Sequence, residues 1–470
     1  MNAYLLLDFG STYTKLTAVD IDNEEIIATA KDITTIEDDI MIGFNKAYEK
    51  LMLQLQDKEI NFIKKLACSS AAGGLKMVAI GLVPDLTAEA AKRAALGAGA
   101  RVIKVYSYEL TRDEVEEIKQ LDLDIILLAG GTNGGNKQCI IHNAKMLVEG
   151  NINLPVVVAG NKSANDEIKE IFSKAGFYFS ITENVMPQLN SLNVEPAREE
   201  IRKVFMDRIT DAKGLSNAES FINGILMPTP AAVLNAAKAL GEGTDEEEGI
   251  GDLIIVDIGG ATTDIHSIGY GEPTKGGVNM KGLEEPYAKR TVEGDLGMRY
   301  SAISLWEAGG SRKLRKYLGD KDRKIDIEAN CKFRNKNIRM VPQTTDEILF
   351  DEAMAKVATE LSMERHCGTV ECIYTPLGAV YNQVGKDLME VKYMIGTGGV
   401  LVHSDNPGGI MSAGTFDKEN SVSLRPKHPK MLIDKTYILS SMGLLAQDYP
   451  DKAVRIMKKY LIEVQLLGGN

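Results

Sequence analysis

Cysteine is scarce in this chain, with five residues among 470. The cysteines are odd in number and scattered, which argues against a disulfide framework in a protein of this length. Two of them, Cys367 and Cys372, stand beside His366, but no second pair completes a zinc site or an iron–sulfur cluster. We therefore expect reduced thiols at Cys68, Cys139, Cys331, Cys367 and Cys372.

Long apolar runs are also missing. No stretch approaches the roughly 20 residues that a membrane-spanning helix needs. The apolar opening Tyr4–Leu7 reaches Asp8 too early for a signal peptide. We therefore expect a cytoplasmic protein without a membrane partner.

Positive charge and aromatic residues are in short supply. Lysine and arginine total 54 against 66 aspartate and glutamate, so the formal net charge is -12 and attraction to nucleic acid is disfavoured. The single tryptophan, Trp306, and an aromatic content of 6% provide no base-stacking platform. No nucleic-acid partner is expected, although an acidic chain can still carry a local anion site.

The chain opens with a β-β-β-α pattern. Three β-prone segments, Tyr4–Leu7, Lys15–Asp20 and Ile26–Ala30, are separated by turn residues. From Glu37 to Gln56 apolar residues recur every three or four positions, which predicts a helix with one buried face.

Residues 75–185 then alternate apolar strand candidates with helical patterns. Repeated β-α units of this length predict parallel strands joined by helical crossovers, in a doubly wound subdomain inserted into the chain. Such an insertion could contact a partner protein, or it could serve only as a structural elaboration.

The end of this region leads into a second copy of the opening pattern. Helices are predicted at Pro196–Ile209 and Ala231–Leu240, and the acidic, glycine-rich stretch Gly241–Gly249 is predicted to be a solvated linker. Beyond it, Leu253–Asp257 and Thr263–Ile268 repeat the strand, glycine turn and strand of the amino-terminal segment.

The first motif that could take part in chemistry follows the first strand. A buried strand delivers Asp8 to its end, and Gly10 allows a tight turn. The amides and hydroxyls of Ser11 and Thr12 then face any anion in the bend, with Lys15 as a nearby cation.

The second motif repeats this logic with Asp257, Gly259, Gly260, Thr262 and Thr263. Two such copies could close on a phosphate chain from both sides, with the two aspartates holding Mg²⁺ mainly through waters. Either copy could instead be a plain hairpin in which aspartate and glycine serve turn geometry.

The third motif is a strand that runs into a glycine-rich bend at Gly396, Gly398 and Gly399. Glycine there would let the backbone pack flat against a planar ring or a ribose. Glycine bends after strands are common, so this motif indicates a binding site only together with the other two.

In order, these motifs resemble the phosphate-1, phosphate-2 and adenosine motifs of the superfamily that includes sugar and acetate kinases, actin and the Hsp70 ATPase domain. The resemblance implies an α/β fold with two ribonuclease-H-like domains around a cleft for ATP and Mg²⁺, and an inserted doubly wound subdomain. Asp8 and Asp257 become the expected catalytic and metal-binding residues. The expected cofactor-binding residues are Gly10, Ser11, Thr12, Lys15, Gly259, Gly260, Thr262, Thr263, Gly396, Gly398 and Gly399.

The same resemblance implies a domain division. Two interdomain helices are expected at Pro230–Leu240 and Ile438–Gln447. The predicted parts are residues 1–74 with about 186–240 as the first domain, 75–185 as the insertion, 250–437 as the second domain, and 438–470 as carboxyl-terminal helices that return to the first domain.

A closer likeness covers nearly the whole chain. Four segments resemble the MutL/GlmL family, which is associated with glutamate mutase and is distinct from the DNA mismatch-repair protein of similar name: Ala67–Leu75, Leu128–Asn136, Asn184–Pro187 and Arg290–Gly297. The resemblance implies an ATP-driven chaperone that expels damaged cobalamin from an adenosylcobalamin-dependent mutase or aminomutase. A homodimer is also compatible with the likeness.

The group that would orient water for ATP hydrolysis is left open among Asp264, Glu293 and Asp295, each of which could equally be a surface or capping acid. Other functions on this fold also stay open. A small-molecule kinase is the main alternative, followed by a dehydratase activator with a bridging iron–sulfur cluster and a structural, actin-like role.

Overall fold

The computed structural model describes residues 1–35, 40–56, 59–70, 75–205, 221–223, 225–319, 325–376 and 378–464. The chain divides into two compact units, Met1–Ala232 and Val233–Asn470. Across the described ranges no helix is both long and apolar enough to cross a membrane.

The first unit contains two sheets and their covering helices. Its elements in chain order are β1 (Asn2–Phe9), β2 (Tyr13–Asp20), β3 (Glu25–Ile33), α1 (Ile40–Leu55), β4 (Asn61–Ser69), β5 (Leu75–Gly81), α2 (Glu89–Gly97), β6 (Ala100–Ser107), α3 (Arg112–Gln120), β7 (Ile125–Leu128), α4 (Gln138–Glu149), β8 (Val156–Val158), α5 (Asn165–Ala175), β9 (Phe179–Ile181), α6 (Glu195–Val204), β10 (Ile225–Pro228) and α7 (Thr229–Glu242), which contains the division between the units.

The sheet that carries the first motif has the strand order β10-β4-β1-β2-β3. Strand β2 is antiparallel to β1 and β3, whereas β4 and β10 run parallel to β1. Helix α1 packs Phe44 and Leu51 against Leu5 and Leu7 of β1, because its apolar residues recur on one face. This strand order and direction define a ribonuclease-H-like sheet.

The second sheet of this unit lies in the sequence between β4 and β10. Its five strands are all parallel in the order β6-β5-β7-β8-β9, which is a doubly wound arrangement. Each strand is a short apolar run that helices cover, and Val78, Ile126 and Val158 lie in its buried core.

Two buried asparagines fix the loop that follows β7. The Asn161 amide donates to the carbonyls of Gly135 and Asn136, and its oxygen accepts from the Gly134 amide. The Asn184 amide donates to the Gly131 carbonyl at 2.9 Å. These side chains therefore hold the glycine-rich loop, together with the bonds that the loop's own Asn133 and Asn136 side chains accept.

The second unit contains one large sheet, one small sheet and a helical layer. Its elements are β11 (Leu253–Ile258), β12 (Thr263–Ile268), β13 (Val278–Lys281), β14 (Ala288–Glu293), α8 (Ala302–Leu318, interrupted at Gly310), α9 (Ile327–Lys336), α10 (Thr345–His366), β15 (Thr369–Thr375), β16 (Gly378–Val384), β17 (Tyr393–Thr397), α11 (Gly399–His403), α12 (Pro407–Met411), β18 (Lys430–Ile433), α13 (Leu439–Leu445), α14 (Pro450–Tyr460) and β19 (Ile462–Glu463).

The large sheet has the order β14-β12-β11-β17-β18-β19. Strand β12 is antiparallel to β11 and β14, while β17 and β18 continue parallel to β11, so the first five strands repeat the topology of the first unit. Helix α10 contributes Met354 and Ala358 to the core beneath Ile254 and Val256 of β11. A separate three-stranded sheet has the order β13-β16-β15.

The predicted fold class is confirmed by these topologies: an α/β chain with two ribonuclease-H-like sheets and an inserted doubly wound subdomain. The predicted domain boundaries stay predictions, including the return of residues 438–470 to the first domain, while β19 pairs with β18 in the second unit. Parts of some predicted features fall outside the described residues, namely 37–39, 71–74, 206–209 and 465–470.

The acidic stretch Gly241–Gly249 starts in the last turn of α7 and continues as a hydrogen-bonded turn within the second unit, so its interpretation as a linker is wrong, although four of its acids are exposed to solvent. Gly243 and Glu248 form a β-bridge, and Thr244 donates its amide to the Glu247 carbonyl at 2.8 Å. The Glu247 carboxylate forms an ion pair with Lys458 of α14. Basic residues distant in the sequence therefore compensate this acidic segment.

All five cysteines are free thiols, and only Cys372 is exposed. Burial raises the pKa of Cys139 to about 11 and the pKa values of Cys331 and Cys367 to about 12. Burial, reinforced by the negative charge of Asp8, raises the pKa of Cys68 well above its ordinary value. Because the thiolate is the reactive form, the four buried thiols are protected twice, by inaccessibility and by protonation.

We expect Cys372 to be the one thiol of the native protein that reacts rapidly with iodoacetamide at pH 8. Mass spectrometry of the labelled peptides should find the other four cysteines modified only after unfolding in guanidinium chloride. The Cys372→Ser variant should lose the rapid phase. Rapid labelling of Cys68 in the native protein would contradict this assignment.

Candidate functional site

The first motif is a tight hairpin between β1 and β2. The Gly10 amide donates to the Tyr13 carbonyl at 3.1 Å and closes the turn. A Cβ at position 10 would lie 2.6 Å from the Tyr13 carbonyl oxygen, so no larger residue fits without rearrangement. Ser11 is exposed at the tip, and the Thr12 carbonyl accepts the Thr34 amide at 2.9 Å.

Asp8 is the penultimate residue of β1 and is almost completely buried, with 2% of its surface exposed. Lys15 stands directly opposite on β2, and its ammonium lies 3.3 Å from Asp8 Oδ2. The Thr229 hydroxyl donates to Asp8 Oδ1 at 2.7 Å, and the Cys68 thiol lies 3.7 Å from the same oxygen. The buried carboxylate is therefore compensated by one cation and two neutral donors.

The second motif forms the same turn between β11 and β12. The Gly259 amide donates to the Thr262 carbonyl at 2.9 Å, which matches the bond from Gly10 to Tyr13. Asp257 stands directly opposite Asp264, as Asp8 stands opposite Lys15. The predicted internal repeat is thus a repeated hairpin, with a carboxylate replacing the lysine.

A segment that the motif analysis did not assign to the site holds this second turn in place. The amides of Met298 and Arg299 donate to the carbonyls of Gly259 and Gly260 at 3.0 and 2.8 Å. A Cβ on Gly297 would lie 2.3 Å from the Ala261 backbone, so a glycine is needed for this approach. The glycines of the Arg290–Gly297 segment were the signal that could have identified it.

Two further hydroxyls support the turn. Ser301 donates from Oγ to the Ala261 carbonyl at 2.8 Å, and the buried Thr263 hydroxyl donates to the Leu296 carbonyl at 2.8 Å. The Thr263 side chain is thus used in fixing the turn. Gly259, Gly260 and Thr262 stay partly exposed.

The third motif meets the second at the carboxyl ends of β11 and β17. Thr397 stands opposite Asp257, and Gly398 has a φ of 94°. A Cβ on Gly398 would lie 2.3 Å from the Ile258 carbonyl oxygen, whereas Gly399 has open space around it. The glycine bend therefore lies directly against the backbone of the second motif.

Asp434 is a buried acid of this region that the sequence did not reveal. Its carboxylate accepts the amides of Ile438 and Leu439 at 2.9 and 3.0 Å, at the start of α13. It also accepts the Thr397 hydroxyl at 3.3 Å, and its own amide donates to the Gly396 carbonyl. Asp434 thereby fixes the third motif to the amino-terminal end of a helix.

The three candidate acids for orienting water are all engaged with arginines. Asp264 lies 3.4 Å from Arg290, and both side chains are buried. Arg365 contacts Glu293 at 2.6 Å and Asp295 at 2.8 Å, and its hydrogen bonds lower the pKa of Asp295. Only Asp264 is placed beside a predicted metal-binding residue by strand register.

Each hairpin offers hard oxygen donors that suit Mg²⁺, with Asp8 in the first unit and Asp257 beside Asp264 in the second. Throughout the part of the chain that the structure describes, no group of three or more His, Cys, Asp or Glu is arranged to hold a metal ion. A magnesium ion at either hairpin would therefore take most of its ligands from water and substrate oxygens.

The two glycines of the third motif give a discriminating pair of substitutions. Gly398→Ala forces a methyl group into the Ile258 carbonyl at a left-handed φ, so we expect a loss of ~1–3 kcal/mol of stability. Gly399→Ala meets open space and should keep the wild-type melting temperature while weakening ATP binding. Thermal denaturation and titration calorimetry measure the two effects, and ATP binding unchanged in Gly399→Ala would remove this residue from the adenosine site.

Comparisons with solved structures find distant likenesses. Solved structures with a similar fold include gluconate kinase from Lactobacillus acidophilus, with a TM-score of 0.37 and 10% identity, covering 100% of this chain and 94% of that one. They also include Plasmodium falciparum glycerol kinase with ADP, with a TM-score of 0.36 and 11% identity over 99% and 94% of the chains. Likenesses this distant carry no information about activity.

Sequence comparisons are far closer. Protein MutL of Clostridium tetanomorphum is 73% identical over 464 residues, which cover 99% of this chain and 100% of that protein. The profile of the MutL protein family matches residues 4–461. The chain therefore belongs to the MutL protein family.

Proposed function

We propose that this protein is an ATP-dependent reactivating chaperone of an adenosylcobalamin-dependent mutase or aminomutase. The observation that supports the ATP part is the repeated hairpin. The bonds from Gly10 to Tyr13 and from Gly259 to Thr262 close the same turn after a strand whose penultimate residue is aspartate. Membership of the MutL family supports the choice of partner, through the family's association with glutamate mutase.

In this proposal the two acidic hairpins are the parts of the chain that bind Mg-ATP. Asp8 and Asp257 would hold Mg²⁺ through its waters, the metal would neutralise phosphate charge, and Lys15 would add a cation beside Asp8. Ser11 and Thr12 present backbone and hydroxyl donors to phosphate, and Gly260 and Thr262 do so in the second unit. Gly10, Gly259 and Thr263 shape the two turns that carry these donors. Gly396, Gly398 and Gly399 accept the adenosine.

The acid opposite Asp257 is the best candidate for orienting the attacking water. Asp264 shares the strand register of Asp257, and Arg290 beside it keeps the carboxylate in one orientation. Glu293 and Asp295 are occupied by Arg365, which stands at the surface. Hydrolysis then proceeds by attack of that water on the γ-phosphorus while the bond to the ADP oxygen breaks.

A reactivating role needs a conformational output. Loss of the adenosyl group leaves an inactive cobalamin trapped in a closed mutase site, and some force must open that site. ATP and ADP can supply it only through different affinities for two conformations of the chaperone, because a ligand shifts an equilibrium no further than its differential affinity allows. The inserted subdomain around β5–β9 is the surface we assign to the mutase.

The ATP part predicts that Asp8→Asn and Asp257→Asn each lower the rate of ATP hydrolysis by about 10- to 100-fold, since each removes a carboxylate from the waters of Mg²⁺. Phosphate release by purified protein measures the rate. Asp122→Asn is the matched control, because Asp122 forms an ion pair with Lys76 in the inserted subdomain, outside both hairpins. Hydrolysis at the wild-type rate in both site variants would refute the two-aspartate site.

The chaperone part predicts that the protein and ATP together restore a mutase that has been blocked with cyanocobalamin, once free adenosylcobalamin is added. Recovered mutase activity and released cyanocobalamin are the two measurements, and the Asp257→Asn protein is the control. Efficient ATP hydrolysis without release of cobalamin would contradict the chaperone role. Transfer of phosphate to a small-molecule acceptor would favour a kinase instead.

A further inference from the structure

Thr229 makes the shortest of the hydrogen bonds described for the Asp8 side chain, although 221 residues separate the two in sequence. Its hydroxyl donates to Oδ1 at 2.7 Å, compared with 3.3 Å from Lys15 to Oδ2 and 3.7 Å from Cys68 to Oδ1. From the sequence, the neighbourhood of Thr229 is predicted only to precede a helix.

Strand pairing explains why this threonine reaches Asp8. In the parallel part of the sheet, Asp8 of β1 pairs with Cys68 of β4, and Met227 of β10 pairs with the same Cys68. The chain leaves β10 at Pro228 and begins α7 at Thr229, so the hydroxyl passes over the Cys68 sulfur at 3.6 Å. The side chain therefore bridges from the end of β10 to the end of β1.

The backbone around Thr229 is restricted on both sides. Pro228 and Pro230 flank it, and each ring fixes its own φ. A Cβ on Gly99 would lie 2.8 Å from the Pro228 ring, so Pro228 packs closely against the inserted subdomain. Thr229 is consequently held in place before any ligand arrives, which is the condition for orienting another group.

The bond fixes one oxygen of the Asp8 carboxylate. A carboxylate has about four acceptor positions, of which Thr229 takes one on Oδ1 and Lys15 takes one on Oδ2. Removing the hydroxyl takes away the shortest of the bonds described for this side chain, because the Cys68 thiol is a longer and weaker donor to the same oxygen. The carboxylate could then rotate about its terminal bond, because that torsion is broad.

We propose that Thr229 is a positioning residue that orients the Asp8 carboxylate toward the waters of Mg²⁺. The inference rests on the proposed function of Asp8. It adds that the first residue of α7, the helix that contains the division between the two units, is bonded to the metal-binding carboxylate. Occupancy of the metal site and the position of this helix start are thereby linked through one hydrogen bond.

The test uses Thr229→Val, which keeps the shape of the side chain and removes the hydroxyl, and Thr229→Ser, which keeps the hydroxyl. Thr14→Val is the matched control, because Thr14 is buried in the same sheet and bonds Thr34 at 3.1 Å. The readout is the affinity for a fluorescent ADP analogue in Mg²⁺ and in EDTA. The dissociation constant in EDTA divided by the dissociation constant in Mg²⁺ gives a ratio that measures the contribution of the metal to binding, independently of turnover.

We expect Thr229→Val to reduce this ratio about tenfold and to raise the Mg²⁺ concentration for half-maximal ATP hydrolysis by a similar factor. Thr229→Ser should restore both values to near wild type. Thr14→Val should lower the melting temperature and leave the ratio unchanged. If Thr229→Val fails to fold, Thr229→Ala and Thr229→Cys replace it, with the same expected loss.

If folded Thr229→Val has the wild-type ratio while Asp8→Asn has a ratio near one, the role of Thr229 is overturned and the proposed function stays intact. A wild-type ratio in Asp8→Asn would instead overturn the proposed role of Asp8, and the inference with it. A fall in the ratio that Thr229→Ser does not reverse would show that shape rather than the hydroxyl matters, which also overturns the inference.

Discussion

A carboxylate at the end of a fully buried strand needs compensation before the strand can be stable there. In the first unit this constraint applies to Asp8, and the compensating groups come from three separate strands or helices: Lys15 on β2, Cys68 on β4 and Thr229 on α7. The aspartate therefore connects elements that span most of the first unit. The orientation of the Asp8 carboxylate and the packing of the sheet depend on the same few bonds.

The second unit meets the same constraint with different residues. Asp257 stands opposite another acid, Asp264, and the buried guanidinium of Arg290 supplies the positive charge. Burial lowers the pKa of Arg290, while the neighbouring Asp264 acts in the opposite direction. The turn itself is held from outside by the backbone amides of Met298 and Arg299, much as the amides of Thr34 and Ser70 donate to carbonyls of the first hairpin.

The sequence was informative where structure depends on near neighbours. Apolar runs predicted β1 and β11, and an aspartate followed by glycine predicted both turns, because these features need only a few consecutive residues. Regular alternation likewise predicted the parallel sheet of the insertion. The nucleotide-binding roles of the motif residues stay predictions, since they depend on a ligand rather than on the fold.

The partners of the site residues could not be predicted in the same way. Thr229, Arg290 and Asp434 each reach the motifs through packing that brings distant segments together, and a hydroxyl or an acid in isolation has many possible uses. The prediction of a linker at Gly241–Gly249 was wrong for the same reason, because Lys458, which pairs with Glu247, is far away in the sequence. The composition gives the number of charged residues, but it does not show which oppositely charged residues will lie together in the folded chain.

The exchange of Lys15 for Asp264 at equivalent places in the repeat has a consequence for the local charge of the two turns. Two identical hairpins would carry the same charge beside their aspartates. A cation beside Asp8 and an acid beside Asp257 remove that equivalence. The duplicated scaffold therefore keeps one backbone geometry while each copy has its own electrostatic character.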